Sequence, residues 1–408
     1  MPAFYQTAVA RLSQTARIMS QINDVFIVSA ARTPIGSFNG VLKKATAPEL
    51  GVVAVKAAIE RAGLKPDQIE EVYMGNVLQG NVGQAPARQV ALKAGCPETT
   101  EATTINKVCA SGMKAISLAA QNIALGQRGV MVAGGMESMS NAPYYLPRGN
   151  AYGHVQALDS IVKDGLHDVY NQVAMGNCAE NTAKKLSITR EQQDNFAIES
   201  YRRSAEAWKA NAFANEIAPV TISDKKGDVV ISEDEEYKNV KLEKIPTLRP
   251  VFAKDGTITA ANASTLNDGA SAVVLASEAE CQKLGVKPLA KIISFADAAC
   301  APIDFPIAPA YAIPKALERA GLTKDDISLF EINEAFSAVA LANNQMLDLD
   351  PSKVNVLGGG VSLGHPIGSS GARIVVTLAH ALKPGQYGCA GVCNGGGGAS
   401  AIIIKREN

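Results

Sequence analysis

The same pattern of residues occurs twice in this chain at nearly one interval, and that duplication limits the possible folds more than any other feature. AIERAGLKPDQIEEVYMGNV, starting at Ala58, matches ALERAGLTKDDISLFEINEA, starting at Ala316 and 258 residues later. SGMKAISLAAQNIALGQRGVMVAGG, starting at Ser111, matches SGARIVVTLAHALKPGQYGCAGVCN, starting at Ser370 after an interval of 259. Unrelated segments have no reason to keep register over that distance, so the chain reads as one structural unit present twice. Short β-branched runs such as VFIVSA and VVLAS alternate with Ala-rich stretches such as ELGVVAVKAAIERAG, which makes the unit α/β.

Between the copies lies a segment of different character, 139–263, with the charge run SEDEEYKNVKLEK and the polar helical stretch ITREQQDNFAIESYRRSAEAWKA. A structureless connection of that length does not suit a compact protein, so the segment is expected to fold as an insertion over the two units. The expected organisation is a first core domain of 23–138 plus about 264–288, a loop domain of 139–263 and a second core domain of 289–408. Residues 1–22 hold Arg11, Arg17 and several hydroxyl side chains, with no acidic residue before Asp24. That composition reads as a mitochondrial transit peptide and is too interrupted by polar residues for a secretory signal. The C-terminal KREN is no peroxisomal SKL-type address.

The 408 residues carry 39 basic and 39 acidic side chains, so nothing in the charge balance argues for nucleic acid or an anionic membrane as partner. Seven cysteines without a CxxC pair make neither a metal pattern nor a disulfide framework and read as reduced thiols. Apolar runs stop short of the ~18 residues a membrane helix needs, so a soluble protein is expected.

Two residues ahead of the first repeated Ser-Gly stands Cys109, and five ahead of the second stands His365. If each Ser-Gly opens a helix after a strand, pseudo-twofold packing brings both helix N-terminal approaches face to face, where partial positive charge favours a thiolate or a bound anion. Cys109, in NKVCASGMK, is then a nucleophile or a small buried core residue. His365, in LGHPIGSSG, is a base able to deprotonate a thiol or a residue capping a tight turn. Asn333, in EINEAF at the repeat position of Gly75, can hold a water or carbonyl oxygen or bond its own turn. Cys393 takes the repeat position of Gly134 at the end of YGCAGVC, and as an acid or base it needs help from neighbouring dipoles.

Cys393 opens onto VCNGGGGAS. An apolar run, ASAIII, follows at once, which does not suit a flexible linker, and the phosphate-binding patterns GxxxxGK[ST] and GxGxxG are absent here. The reading that remains is a backbone able to bring N–H groups close to a substrate oxygen, as an oxyanion hole requires.

Taken together, NKVCASGMKA, GGMESMSNAPY, NEAF, GHPIGSSGAR and CNGGGGAS stand in the order found in the thiolases, which this chain resembles from about Asp24 to its C-terminus. Within that family it is most similar to the mitochondrial acetoacetyl-CoA subgroup. The resemblance implies a duplicated core of five αβαβα layers with an inserted loop domain, assembled as a homotetramer in the mitochondrial matrix. It implies reversible cleavage of acetoacetyl-CoA by CoA, in ketone-body and isoleucine metabolism, with no redox cofactor. Cys109 would carry the acyl group, His365 would activate it and Cys393 would shuttle the proton. One oxyanion hole would be His365 with a water on Asn333, the other the N–H groups of Cys109 and Gly395.

By the same resemblance Tyr201, Lys244 and Ser264 would contact CoA, and Tyr201, Ala260, Ala261, Ala263 and Val361 would hold a potassium ion. PIDFPIAP, with Phe305 and Pro306, resembles the loop that leaves room for a 2-methyl branch, so 2-methylacetoacetyl-CoA is an expected second substrate. The chain departs from the family pattern at Ala174, where histidine is frequent, and around Asn239 and Lys241 in the nucleotide-contacting loop. Three other readings are a broad-chain 3-ketoacyl-CoA thiolase, a silent acyl-CoA or lipid carrier on the same fold, and a decarboxylating ketosynthase. The subgroup motifs disfavour the first and the intact reactive residues the second. The third usually pairs one cysteine with two histidines, where this chain has Cys393.

Overall fold

A computed structural model describes residues 22–149, 152–225 and 227–407; apart from Ile22, the segment read as a transit peptide lies outside them. The β-branched runs form strands β1 (Val25–Arg32), β2 (Glu71–Gly75), β3 (Glu101–Ile105), β4 (Val130–Ser138), β5 (Asn267–Ser277), β6 (Ala290–Ala299), β7 (Ile327–Ile332), β8 (Tyr387–Asn394) and β9 (Gly398–Arg406). Strands β4 and β5 are buried along their whole lengths, which explains why they read as apolar and small-residue runs rather than as alternation: both faces are covered. The covering helices are α1 (Ala47–Arg61), α2 (Pro86–Lys93), α3 (Ser111–Ala124), α4 (Met175–Lys185), α5 (Arg190–Lys209), α6 (Pro309–Ala320), α7 (Ser337–Leu347) and α8 (Ile367–Ala381). Helix α1 starts at a capping box in which Glu49 accepts from the Thr46 N–H at 2.8 Å, a device worth about 1 kcal/mol.

The strands join edge to edge in the order β7-β8-β9-β6-β1-β5-β4-β2-β3. On one side, β2 runs parallel to β3 and β4, while β4-β5 and β5-β1 are antiparallel. On the other, β7 runs parallel to β8, while β8-β9 and β9-β6 are antiparallel. The halves therefore have the same plan, and their equivalent edges β1 and β6 meet antiparallel, Val25 opposite Ile292. Although β5 follows the insertion in sequence, it lies between β1 and β4, so the first half is discontinuous along the chain.

Neighbouring strand residues point to opposite faces, and the core divides accordingly. Val132 and Val274 face α1 and α2, whereas Met131 and Val273 face α3 and α8 in the centre. In the second half Ile402 and Ile404 face the same central helices, and Ile403 faces Ile313 and Leu317 of α6. The result is a stack of five layers, αβαβα.

Contact between α3 and α8 is possible because glycines stand where they cross. A Cβ on Gly112 would lie 2.8 Å from the Ala372 nitrogen, and one on Gly371 would lie 2.8 Å from the Met113 nitrogen. These two glycines are 259 residues apart, so the repeat itself supplies the close approach.

Helix α8 begins three residues before its Ser370-Gly371, earlier than the repeat suggests. Cys109 and His365 consequently each stand two residues ahead of a helix, at Ser111 and Ile367. The insertion contributes α4 and α5 and is pinned to β1 by buried Arg32, which pairs with Glu216 at 2.5 Å and Asp234 at 2.7 Å. Among the described residues no helix is long and apolar enough to cross a membrane.

Candidate active site

Cys109 sits in a five-residue turn between β3 and α3. Val108, a β-branched residue, is held at φ +49°, a left-handed conformation that costs roughly 1–2 kcal/mol. The turn is held by its own polar groups. Val108 N–H donates to Asn106 Oδ1 at 3.0 Å, Lys107 N–H donates to Ser111 Oγ at 2.8 Å, and Ser111 Oγ–H donates to the Val108 carbonyl at 2.6 Å.

His365 follows Gly364, whose φ is +106° and whose Cβ, if present, would lie 2.5 Å from the Asn267 amide carbon. Asn267 Oδ1 accepts from the His365 N–H at 2.8 Å and so fixes the main chain there. The ring Nδ1 lies 2.6 Å from Ser370 Oγ, which is itself 3.0 Å from the Pro366 carbonyl. A hydroxyl serves both ring tautomers: it donates to Pro366 while accepting from Nδ1–H, or turns and donates to a bare Nδ1. Ser370 thus orients the imidazole without fixing where its proton resides.

The glycine run is a hairpin turn between β8 and β9, closed by the pair Asn394 and Gly398. Gly396 and Gly397 both have φ +86°, and a Cβ on Gly397 would lie 2.2 Å from the Cys300 carbonyl oxygen. Two of the four glycines are therefore required by the turn. Gly395 has another role: its N–H and that of Cys109 lie near the Cys109 sulfur and favour its thiolate form.

Burial pushes the Cys109 thiol up to about 11 despite those two N–H groups, and the Glu137 carboxylate adds to the rise. Burial, reinforced by Cys109, raises Cys393 well above the ordinary thiol value, and burial with the charge of Arg373 takes His365 down to about 3. In the resting site all three groups are neutral. The helix N-terminus was expected to favour a thiolate, but desolvation outweighs it.

Asn333 directly follows β7 and is 1% exposed, yet neither its Nδ2 nor its Oδ1 has a protein partner. An orphaned buried amide costs about 1–3 kcal/mol, so the group suits a bound water or substrate oxygen.

Cys109, His365 and Ser264 line a cavity of about 280 Å³ whose remaining wall is mostly apolar, including Met175, Phe252, Phe305 and Phe336. Ala174 lines it too. Cys393 and Asn333 do not line it; Cys393 packs behind the wall against Met175, Phe305 and Phe336. Thr265 is shared with a second cavity of about 340 Å³, lined by Tyr201, Glu236, Asn239, Lys241, Lys244, Ala260 and Ala261. The two cavities adjoin at Thr265, one reactive and apolar, the other polar and lysine-bearing. Val361 packs with Tyr201 and Ala261, while Ala263 packs on the reactive side. Among the described residues no cluster of three His, Cys, Asp or Glu could hold a metal ion.

Three supporting residues escape sequence reasoning. Ser370 and Asn267 act through contacts 5 and 98 residues from His365 in sequence. Glu137 is fully buried on β4 and accepts from Asn76 Nδ2 (2.7 Å), Val77 N–H (3.0 Å), Leu78 N–H (3.2 Å) and Gly368 N–H (3.0 Å). Burial pushes its carboxyl up to about 7, against the N–H groups of Val77, Leu78 and Gly368. Its signal is present in VMVAGGMES, an acidic residue inside an otherwise apolar strand.

Family models for the N-terminal and C-terminal thiolase domains match residues 25–279 and 286–406. The chain is 64% identical over 388 residues to the rat protein named mitochondrial acetyl-CoA acetyltransferase, covering 94% of this chain and 92% of that one. It is 62% identical to the Xenopus laevis mitochondrial acetyl-CoA acetyltransferase B, covering 97% and 98%. The crystal structure of the Ascaris suum Acat5 thiolase in complex with coenzyme A superposes with a TM-score of 0.91 at 53% identity, covering 94% of this chain and all of the other.

Proposed function

We propose that this chain, which belongs to the thiolase family, is an acetyl-CoA acetyltransferase that cleaves acetoacetyl-CoA with CoA and runs the reverse Claisen condensation. The observation that carries the chemistry is the convergence of the Gly395 and Cys109 N–H groups on the Cys109 sulfur, with His365 in the same cavity.

In cleavage, the Cys109 proton passes to His365 as the sulfur attacks the 3-keto carbon. The carbon–carbon bond then breaks, and the departing enolate is stabilised by protonated His365 and a water held by Asn333. Cys393 gives its proton to that enolate, releasing acetyl-CoA and leaving a Cys393 thiolate. CoA enters, loses its thiol proton to Cys393 and attacks the acetyl group, whose oxyanion is held by the N–H groups of Cys109 and Gly395. Cys109 leaves as thiolate and recovers its proton from His365, so each cycle returns the site to its neutral state. Because burial raises the Cys109 thiol and lowers His365, proton transfer is expected to accompany attack rather than precede it. Removing the His365 partner with Ser370→Ala is expected to lower kcat about tenfold with little change in KM, measured in steady state.

CoA lies along the cleft, with Lys244 and Tyr201 toward its nucleotide end and Ser264 beside the thioester. Tyr201, the second cavity's Ala260 and Ala261, Val361 and Ala263 would supply one phenol and main-chain carbonyls. Oxygen donors of this kind, with the Glu236 carboxylate on the same cavity, suit a hard monovalent cation such as potassium. Bound there, the ion would stiffen the CoA side of the cleft by fixing those carbonyls. The modest, Phe-walled reaction cavity favours short acyl groups, with Phe305 on its wall, followed by buried Pro306, beside the place for a 2-methyl branch. The functional unit is a homotetramer in the mitochondrial matrix, as the family resemblance and the leader composition suggest.

Thiolysis of acetoacetyl-, 2-methylacetoacetyl- and long-chain 3-ketoacyl-CoA, with and without potassium, tests this reading. Fast turnover of the first two and stimulation by the ion are expected. Appreciable long-chain turnover would replace the short-chain assignment by the broad-chain one, and indifference to potassium would remove the ion site.

A further inference from the structure

We propose that Lys107 is a positioning residue for acyl transfer: its ammonium braces the strained turn that carries Cys109 against the strands that carry Cys393. The inference rests on the function proposed above and concerns how its two cysteines are kept in register.

Lys107 lies two residues before Cys109 and one before Val108, the left-handed β-branched residue. Its Nζ donates to Asp297 Oδ1 at 2.6 Å, to Ser400 Oγ at 2.8 Å and to the Ala399 carbonyl at 3.2 Å. These acceptors belong to the other half of the molecule. Asp297 stands opposite Ser400 across β6 and β9, and Ala399 stands opposite Cys393 across β9 and β8. One ammonium thus connects the nucleophile's turn to the residue paired with the proton shuttle. Lys107 also anchors the turn from within, since its carbonyl accepts from the Ala110 N–H at 3.1 Å and its N–H donates to Ser111 Oγ.

Two other roles are less well supported by the same contacts. An ammonium has three N–H donors, and here all three are taken, so none is left for a CoA phosphate. The charge of Lys107 is paired with Asp297 at 2.6 Å, which limits its pull on the Cys109 thiol. What remains is geometry. A misplacement of about 1 Å between reacting groups costs on the order of a hundredfold in rate.

The protein contains its own control. Lys114, on α3, pairs with the other oxygen of the same Asp297 at 2.7 Å, and the two lysine side chains are 24% and 25% exposed. Lys107→Met and Lys114→Met each remove one cation from Asp297, but only the first releases the Cys109 turn. Three readouts are taken on the purified full chain: kcat and KM for acetoacetyl-CoA thiolysis, the rate at which acetyl-CoA acetylates Cys109, and melting temperature. Lys107→Met is expected to lower kcat and the acetylation rate ten- to hundredfold with KM within twofold, while Lys114→Met stays within twofold in all three kinetic values.

Equal losses in both variants, a loss confined to KM, or undiminished acetylation in Lys107→Met would overturn the brace. If Lys107→Met does not fold, Ser400→Ala removes one acceptor without changing charge and is expected to lower kcat two- to fivefold; unchanged kcat there would overturn it too. Absence of Cys109 acetylation in the wild type would instead overturn the function on which the inference rests.

Discussion

Cys109→Ala is expected to lower acetoacetyl-CoA cleavage by about four orders of magnitude or more, since among the described residues no other thiol lines the cavity. The variant should still bind CoA, because the cleft lining that reaches Tyr201 and Lys244 is untouched. Mass spectrometry after mixing wild type with acetyl-CoA should find one acetyl group on the Cys109 peptide and none in the variant. Undiminished activity in Cys109→Ala would refute the nucleophile assignment. The raised thiol adds a pH signature with a definite sign. Alkylation consumes thiolate, and with the thiol at about 11 the thiolate fraction rises about tenfold per pH unit throughout the neutral range. Iodoacetamide modification of Cys109 in the free protein should therefore accelerate continuously from pH 7 to pH 10. A plateau near neutrality would mean a preformed thiolate, contrary to the desolvated site described here.

Cys393→Ser is the second large effect, because a hydroxyl of the same shape is a far weaker acid than a thiol. General acid–base catalysis contributes roughly 10²–10⁴-fold, and cleavage of acetoacetyl-CoA should fall within that range. The two half-reactions should not suffer alike. Breaking the carbon–carbon bond releases a carbanion that must be protonated, whereas acetylation of Cys109 by acetyl-CoA releases a thiolate, a far weaker base that depends less on the proton Cys393 returns to it. Acetylation, followed by rapid quench, is expected to lose at least tenfold less than overall cleavage. Equal losses in both steps would show that Cys393 shapes the cavity rather than moves the proton. Its position behind the cavity wall, packed against Met175 and Phe305, makes that comparison necessary.

Much of this arrangement could be read along the chain. The intervals of 258 and 259 residues carry the two-unit architecture, and glycines at equivalent positions, Gly112 and Gly371, let the central helices touch. Cys109, His365, Asn333, Cys393 and Gly395 each sit at a strand end or helix start that its motif marks. What was not legible has a common cause. Glu137, Asn267, Ser370 and Lys107 work through hydrogen bonds whose partners are set by packing; Lys107 reaches Asp297 and Ser400 across 190 and 293 residues. Local sequence carries no record of such partners, although a carboxylate in an apolar strand at Glu137 marks a place where one must exist.

The sequence by itself determined the duplicated α/β plan, the order of the motifs and the residue types available for covalent acyl transfer, because periodicity, turn chemistry and side-chain reactivity are local properties. Only the tertiary structure decided the protonation of the resting site, the adjoining of the reactive and lysine-bearing cavities at Thr265, and which glycines the turn requires. Those depend on desolvation and on distances between segments far apart in the chain: burial moves Cys109 to about 11 and His365 to about 3, and burial is a property of the packed molecule.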